Sequence, residues 1–319
     1  MQKRMVEEII LPDWFYKAAD EIYTMRVRGA GKIARFTAET INKLAQDYNG
    51  TNLDELGKIL KDGVQVLVKT RPTAISLKNA LRLTLQEANG NNVTDFKNSI
   101  NNESQKFIQN SLNAIATIGM YGAKRVKTSD ALLTHCNSSA ALSVIIEAHK
   151  EGKNIRAFAT ESRPWNQGFL TVKDLSDKGI DVTLIVDSAV RHIIKDERIN
   201  AVFVGADTVC SSGTIVNKIG TSQIALVADE ARIPFYVCAE TYKFSPESLE
   251  GEMVKIEERD ASEITDPKKF PNVKFRNPVF DATPAEYIDA IITEKGVIAP
   301  SAAYEVIKKE FKEGNEWNL

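Results

Sequence analysis

Cysteine and histidine are scarce in this chain of 319 residues, with three of each. Cys136, Cys210 and Cys238 are an odd number at wide spacing, which excludes a disulfide framework. No CxxC, HExxH or close His/Cys cluster occurs, so no metal site built from protein ligands is expected. No run of eighteen mostly apolar residues is present, and nothing reads as a membrane span. The opening segment, MQKRMVEEIILPDW, lacks a sustained apolar stretch and reads as carrying no secretory signal. An excess of one charge is lacking too. The 41 Lys+Arg face 43 Asp+Glu, a net charge of −2, which argues against a broadly basic nucleic-acid-binding surface. A small basic pocket is compatible with that balance. The expectation is a cytoplasmic protein with no membrane or nucleic-acid partner.

What is present is the makeup of a globular protein, 43% hydrophobic and 26% charged, long enough to bury a sizeable core. The first third reads helical. Pro12 suits a helix start, and Trp14, Phe15, Ala18, Ile22 and Met25 follow at near-helical spacing. Arg28-Gly29-Ala30-Gly31 interrupts, KIARFTAETINKLAQDY forms a second helix, and Asn49-Gly50 closes it. Asn52 caps a third helix that Pro72 breaks near Arg71. SLKNALRLTLQEA is a fourth, the Asn-rich stretch 90–104 reads as a loop, and a last helix runs to about residue 119.

From there short apolar runs alternate with helical patterns: ALLTHC, IRAFAT, DVTLIVD, AVFVGAD, PFYVCAE and DAIITEKG. Six candidate strands separated mainly by helices argue for a parallel sheet covered on both faces. The reading is an α/β protein, with an N-terminal helical domain (1–122) followed by a Rossmann-like parallel-sheet domain (123–319). Strand order is not legible at this level.

In open α/β sheets ligands lie beyond the carboxyl ends of the strands, so residues there are the candidates. Cys136 follows the first strand and precedes a helix, where backbone N–H groups and the helix dipole could lower its pKa for acid/base or nucleophilic work. The alternative is a buried small hydrophobe. Ser138 and Ser139 can cap that helix. Asp207, after VFVG, is a second acid/base candidate, or else a cap or turn former. Asp187 reads as a cap, and His192 as a surface or packed histidine. His135 should point away from Cys136 along the strand, so no Cys-His dyad is expected. Arg28 with the 29–31 backbone, Arg71, Asn217-Lys218 at a helix start and Lys243 after the fifth strand are candidate anion holders.

At these residues the chain resembles a known superfamily. It contains the α, β and δ subunits of translation initiation factor 2B, methylthioribose-1-phosphate isomerase and archaeal ribose-1,5-bisphosphate isomerase. The matching segments are RVRGAGKIAR (26–35), RPTAISLKNALR (71–82), THCNSSAA (134–141), TESRPWNQG (160–168), VDSAVRH (186–192), GADTV (205–209), NKIGT (217–221) and CAETYKF (238–244). RGAG followed by KIAR, together with ETYKF, is most similar to the ribose-1,5-bisphosphate isomerases. The resemblance implies Cys136 and Asp207 as the catalytic pair. It implies substrate contacts from Arg28, Gly29, Ala30, Gly31, Arg71, Asn217, Lys218 and Lys243, with Asn137, Ser138 and Ser139 as further candidates. Ser139 stands where the bisphosphate enzymes have a THCHSK-like lysine. The implied reaction converts ribose 1,5-bisphosphate to ribulose 1,5-bisphosphate, with no cofactor, possible activation by AMP, and a homo-oligomeric dimer or hexamer. A regulatory initiation factor 2B-like subunit and methylthioribose-1-phosphate isomerase are the alternatives.

Overall fold

Apolar residues recurring every three or four positions build the N-terminal helices seen in a computed structural model, which describes residues 11–251 and 254–311. The first ten residues, most of the segment read as lacking a signal, lie outside the described residues. The helices are α1 (Asp13–Tyr23), α2 (Ala30–Gln46), α3 (Leu53–Thr70), α4 (Ile75–Leu85) and α5 (Val93–Ala123). On α2, Ile33, Ala34, Ala38, Ile41, Leu44 and Ala45 are buried, one stripe of a 3.6-residue period. Ile33, Ile41, Leu44 and Ala45 join Phe15, Ile22, Leu56, Leu60, Leu67, Leu77 and Leu81 in one core. The Asn52 side chain accepts from Asp54 and Glu55 N–H at 3.0 and 3.2 Å. Such a cap contributes about 1 kcal/mol. Residues 90–104 differ from expectation. The stretch is helical from Val93, and Ile100 and Phe107 bury apolar side chains beneath its polar face. Asn92 caps it, accepting Asp95 N–H at 2.9 Å, so the asparagines sit at a helix start rather than in a long loop.

The chain divides into two compact units between Ser111 and Leu112, inside α5. The second unit holds β1 (Ala131–Thr134), α6 (Ser139–Lys150), β2 (Arg156–Thr160), α7 (Gly168–Ser176), β3 (Asp181–Ile185), α8 (Val190–Asp196) and β4 (Ala201–Gly205). These are followed by β5 (Thr208–Val209), β6 (Ile215–Lys218), α9 (Thr221–Ala231), β7 (Phe235–Cys238), β8 (Phe280–Thr283), β9 (Ala290–Thr293), β10 (Gly296–Ile298) and α10 (Ala303–Glu310). Six strands are parallel, in the order β9-β7-β4-β1-β2-β3, and β10 adds an antiparallel edge beside β9. β1 and β4 are buried along their whole length, as strands covered on both faces must be.

The sheet is therefore mixed and mostly parallel, Rossmann-like. β5, β6 and β8 form a second, antiparallel sheet with no counterpart in the sequence reading. Asn217-Lys218 accordingly end a strand rather than start a helix, which begins only at Thr221. Two- and four-residue strands give too little period to recognise.

Candidate active site

β1 and β4 are neighbours, yet β2 and β3 continue from β1 in one direction while β7 and β9 continue from β4 in the other. The connections reverse between β1 and β4, and a crevice opens at the carboxyl ends of such a pair. Cys136 lies two residues past β1 and Asp207 two residues past β4. Both candidate acid/base groups thus flank the switch point. A tight approach holds them there: a Cβ on Gly205 would lie 2.4 Å from Ser138 Oγ and 2.7 Å from Ser138 Cβ. Only glycine lets the end of β4 reach the loop that carries Cys136.

Cys136 adopts φ +65°, a left-handed conformation rare outside glycine and asparagine. Its backbone is gripped at both ends. Its N–H donates to Ser162 Oγ at 2.8 Å, and its carbonyl accepts from Thr171 Oγ1 at 2.6 Å. Burial pushes the thiol pKa up to about 11. Lys218 and the Asn137 N–H pull it down, while Asp207 and Asp187 push it further up. The lowering expected from backbone N–H groups is present at Asn137 but is outweighed by burial. Ser138 is the N-cap of α6 and accepts Ala141 N–H at 3.3 Å, so the helix terminus is spent two residues beyond the cysteine. The resting group is a thiol, and Lys218 is the largest source of thiolate stabilisation.

The other candidates divide by placement. Asn137 Nδ2 donates to Thr171 Oγ1 at 3.1 Å and to Asp174 Oδ2 at 3.4 Å, tying the cysteine loop to α7. Ser139 is exposed in the first turn of α6. Buried Asn217 donates to Thr221 Oγ1 at 3.0 Å, whereas Lys218 is half-buried over the Phe280 ring, 5.2 Å from its centroid. Lys243 is buried and ion-paired with Glu240 Oε2 at 2.7 Å, so any anion it holds competes with that carboxylate. In the helical unit, Arg28 is exposed, and Gly29 is the N-cap of α2 at φ +89°. Ala30 and Gly31 open that helix. Buried Arg71 directs its guanidinium onto Met25 Sδ, which sets the α3–α4 turn against the turn leading to Arg28. A depression of about 530 Å³ in the same unit, lined by Tyr48, Asn92 and Lys97, contains none of the candidates. Among the described residues no group of three or more His, Cys, Asp or Glu could hold a metal ion.

The roles of several residues around the cysteine escaped the sequence reading. Asp187 does not cap its own helix; it accepts Ser162 N–H and Arg163 N–H, both at 2.8 Å, and so fixes the loop behind Cys136. In that loop the buried side-chain oxygens of Asn166 and Gln167 have no hydrogen-bond partner among the described residues. Buried polar atoms of this kind call for a ligand or another explanation. The signal that could have found them is the loop's match to TESRPWNQG. His192 is exposed. His135 is buried, with its ring bonded to Thr160 and Ile219.

Comparison with known proteins agrees with this architecture. Residues 26–300 match the initiation factor 2 subunit family. The ribose 1,5-bisphosphate isomerase of Methanocaldococcus jannaschii is 47% identical over 96% of this chain and 98% of its own length. That of Archaeoglobus fulgidus is 51% identical, over 91% of each chain. Among solved structures, a translation initiation factor eIF-2B from Pyrococcus horikoshii superposes with a TM-score of 0.80 at 31% identity, covering 91% of this chain and 98% of that one. The 5-methylthioribose 1-phosphate isomerase of the same organism gives 0.76 at 30% identity, covering 93% and 87%. With its fold, its switch-point pair and these relatives in agreement, the chain belongs to the initiation factor 2 subunit family, on the branch of the archaeal ribose-1,5-bisphosphate isomerases.

Proposed function

We propose that this protein is an isomerase converting α-D-ribose 1,5-bisphosphate to D-ribulose 1,5-bisphosphate, in salvage of nucleotide ribose. The observation that carries the reading is the Cys136 and Asp207 pair at the β1/β4 switch point, with Lys218 close enough to act on the thiol. A binding module needs neither acid/base group. Residues 123–319 are the catalytic domain and 1–122 the helical domain of this proposal.

The raised thiol pKa orders the steps. Cys136 enters as an acid, giving its proton to the ring oxygen as the C1–O4 bond breaks. Positive charge is then shared by C1 and its phosphate-bearing oxygen. The thiolate, stabilised by Lys218, takes the C2 proton to leave an enol phosphate, and returns that proton to C1. Asp207 takes the O2 proton as the C2 carbonyl forms, then passes it to the thiolate, which resets the pair. Arg28, the backbone of Gly29, Ala30 and Gly31, Arg71, Asn217, Lys218 and Lys243 bind the phosphates, and Asn137, Ser138 and Ser139 border the sugar. No metal or redox cofactor enters these steps, and AMP is an activator. The protein acts in the cytoplasm as a homo-oligomer, dimer or hexamer.

The deciding experiment is turnover of ribose 1,5-bisphosphate by the purified protein with AMP, beside folded Cys136→Ser and Asp207→Asn. Turnover by wild type and its loss in both variants is expected. Equal activity of Cys136→Ser would remove the thiol from the mechanism. Exchange of a C2 deuterium with solvent during turnover would exclude direct hydride transfer and support the proton route. Absence of turnover with this sugar and with methylthioribose 1-phosphate would favour a regulatory subunit.

A further inference from the structure

The carboxyl end of β1 and the end of β6 lie in different sheets, yet a single buried chain of hydrogen bonds joins them. A carbonyl can only accept, so the Ile219 carbonyl, 2.9 Å from His135 Nε2, fixes the proton on Nε2. Burial lowers the His135 pKa, so the ring is neutral and Nδ1 accepts from Thr160 Oγ1 at 2.6 Å. Ser162 Oγ accepts the Cys136 N–H at 2.8 Å and lies 3.3 Å from both Thr160 Oγ1 and His135 Nδ1, so it joins the cysteine backbone to the imidazole through Thr160 or directly. The chain runs from the cysteine backbone through the hydroxyls and the imidazole to the residue after Lys218.

The far side of that segment is clamped as well. Asp281, facing Asn217 in the β6–β8 register, accepts Gly220 N–H at 2.7 Å and Ser222 N–H at 3.2 Å. Gly220 sits at φ +102°, where an added Cβ would lie 3.3 Å from the imidazole. The imidazole therefore packs on a backbone shaped to receive it.

We propose that His135 is a positioning residue: through Ile219 it holds Lys218 at the Cys136 thiol, and through Thr160 and Ser162 it holds the cysteine loop in register with that lysine. The chemical demand is specific. One ring nitrogen donates and the other accepts, 2.9 and 2.6 Å from their partners; a neutral imidazole meets both, and the donor to Ile219 is the one that places Lys218. Its consequence for turnover rests on the function proposed above; its consequence for the thiol does not.

Two polar replacements separate positioning from bulk. His135→Gln can place an amide N–H at the Nε2 position and keep the bond to Ile219, whereas the shorter His135→Asn reaches only toward Thr160. The rate of carbamidomethylation of Cys136 by iodoacetamide at pH 8, read on its peptide by mass spectrometry, reports the thiolate fraction. His135→Asn, folded by circular dichroism, is expected to react about tenfold more slowly, as for one unit of thiol pKa. Lys218→Met should lose as much, the His135→Asn/Lys218→Met double variant should lose no more than Lys218→Met, and His135→Gln should stay near wild type. Where His135→Asn does not fold, His135→Gln decides alone: reaction as slow as Lys218→Met overturns the proposal. A wild-type rate in folded His135→Asn, or full additivity in the double variant, overturns it too. If the thiol behaves as expected but no variant affects turnover, the catalytic reading of Cys136 fails while the positioning role stands.

Discussion

Among single side chains, Gln167 offers the sharpest test of the site, because its stability and binding effects run in opposite directions. Its buried Oε1 lacks a partner among the described residues, a state that destabilises a fold rather than supporting it. Its carbonyl accepts Thr171 N–H at 3.3 Å, one turn before the threonine hydroxyl that holds the Cys136 carbonyl. A sugar hydroxyl is the donor that would satisfy it. Gln167→Leu keeps the volume and removes the unsatisfied oxygen, so the melting temperature should hold or rise. KM should increase about tenfold, the equivalent of one hydrogen bond of about 1.4 kcal/mol, with kcat affected less. A fall in melting temperature with unchanged KM would make Gln167 a structural residue instead.

The elements show how an ordinary sheet creates an unusual corner. β4 can end against the cysteine loop only because Gly205 has no side chain, and Gly205→Ala drives a methyl into Ser138. Turning the Ser138 hydroxyl does not relieve the contact with its Cβ, which is fixed to the backbone, so the loop must shift. A displacement of 1 Å is enough to cost about a hundredfold in rate. Gly205→Ala should therefore keep most of its cooperative unfolding while kcat/KM falls by that order; unchanged turnover would show that the loop yields harmlessly. The six parallel strands and most helices were legible, since ALLT, RAFAT and AVFVG are apolar runs bounded by polar turns. The 90–104 helix was not, because most of its surface is polar and only an occasional residue such as Ile100 marks the buried side. The β5–β6–β8 sheet was invisible because β5 and β6 are too short to show a period and β8 joins β6 only from more than sixty residues on. The identity of Cys136 and Asp207 as candidates came from strand ends plus resemblance. Their shared switch point, the thiol's raised pKa and the histidine clamp needed the topology, which periodicity does not encode.

At the scale of the whole molecule, the scarcity of cysteine becomes a source of pH dependence. All three thiols sit in the second unit, and burial raises each above its ordinary value of 9.0. Cys210 is pushed up to about 12, and the nearby Glu250 adds to the effect of burial. Below about pH 9 both the folded and the unfolded chain hold these protons, and the stability is fully present. Above it the unfolded chain releases them while the folded chain does not, so stability falls as pH rises toward the folded values. For fully buried Cys210 the loss is about 1.4 kcal/mol for each pH unit between the two values. Tyrosines and lysines titrate in the same range, so wild type is best compared with Cys210→Ala. The alanine variant starts less stable at pH 8, having lost the sulfur's packing. It should lack this one alkaline term, so the stability gap, measured by urea unfolding from pH 8 to 11, should narrow steadily and can reverse. A gap that stays constant over that range would mean that Cys210 ionises in the folded protein at its ordinary value, and that the second unit opens to water around β5.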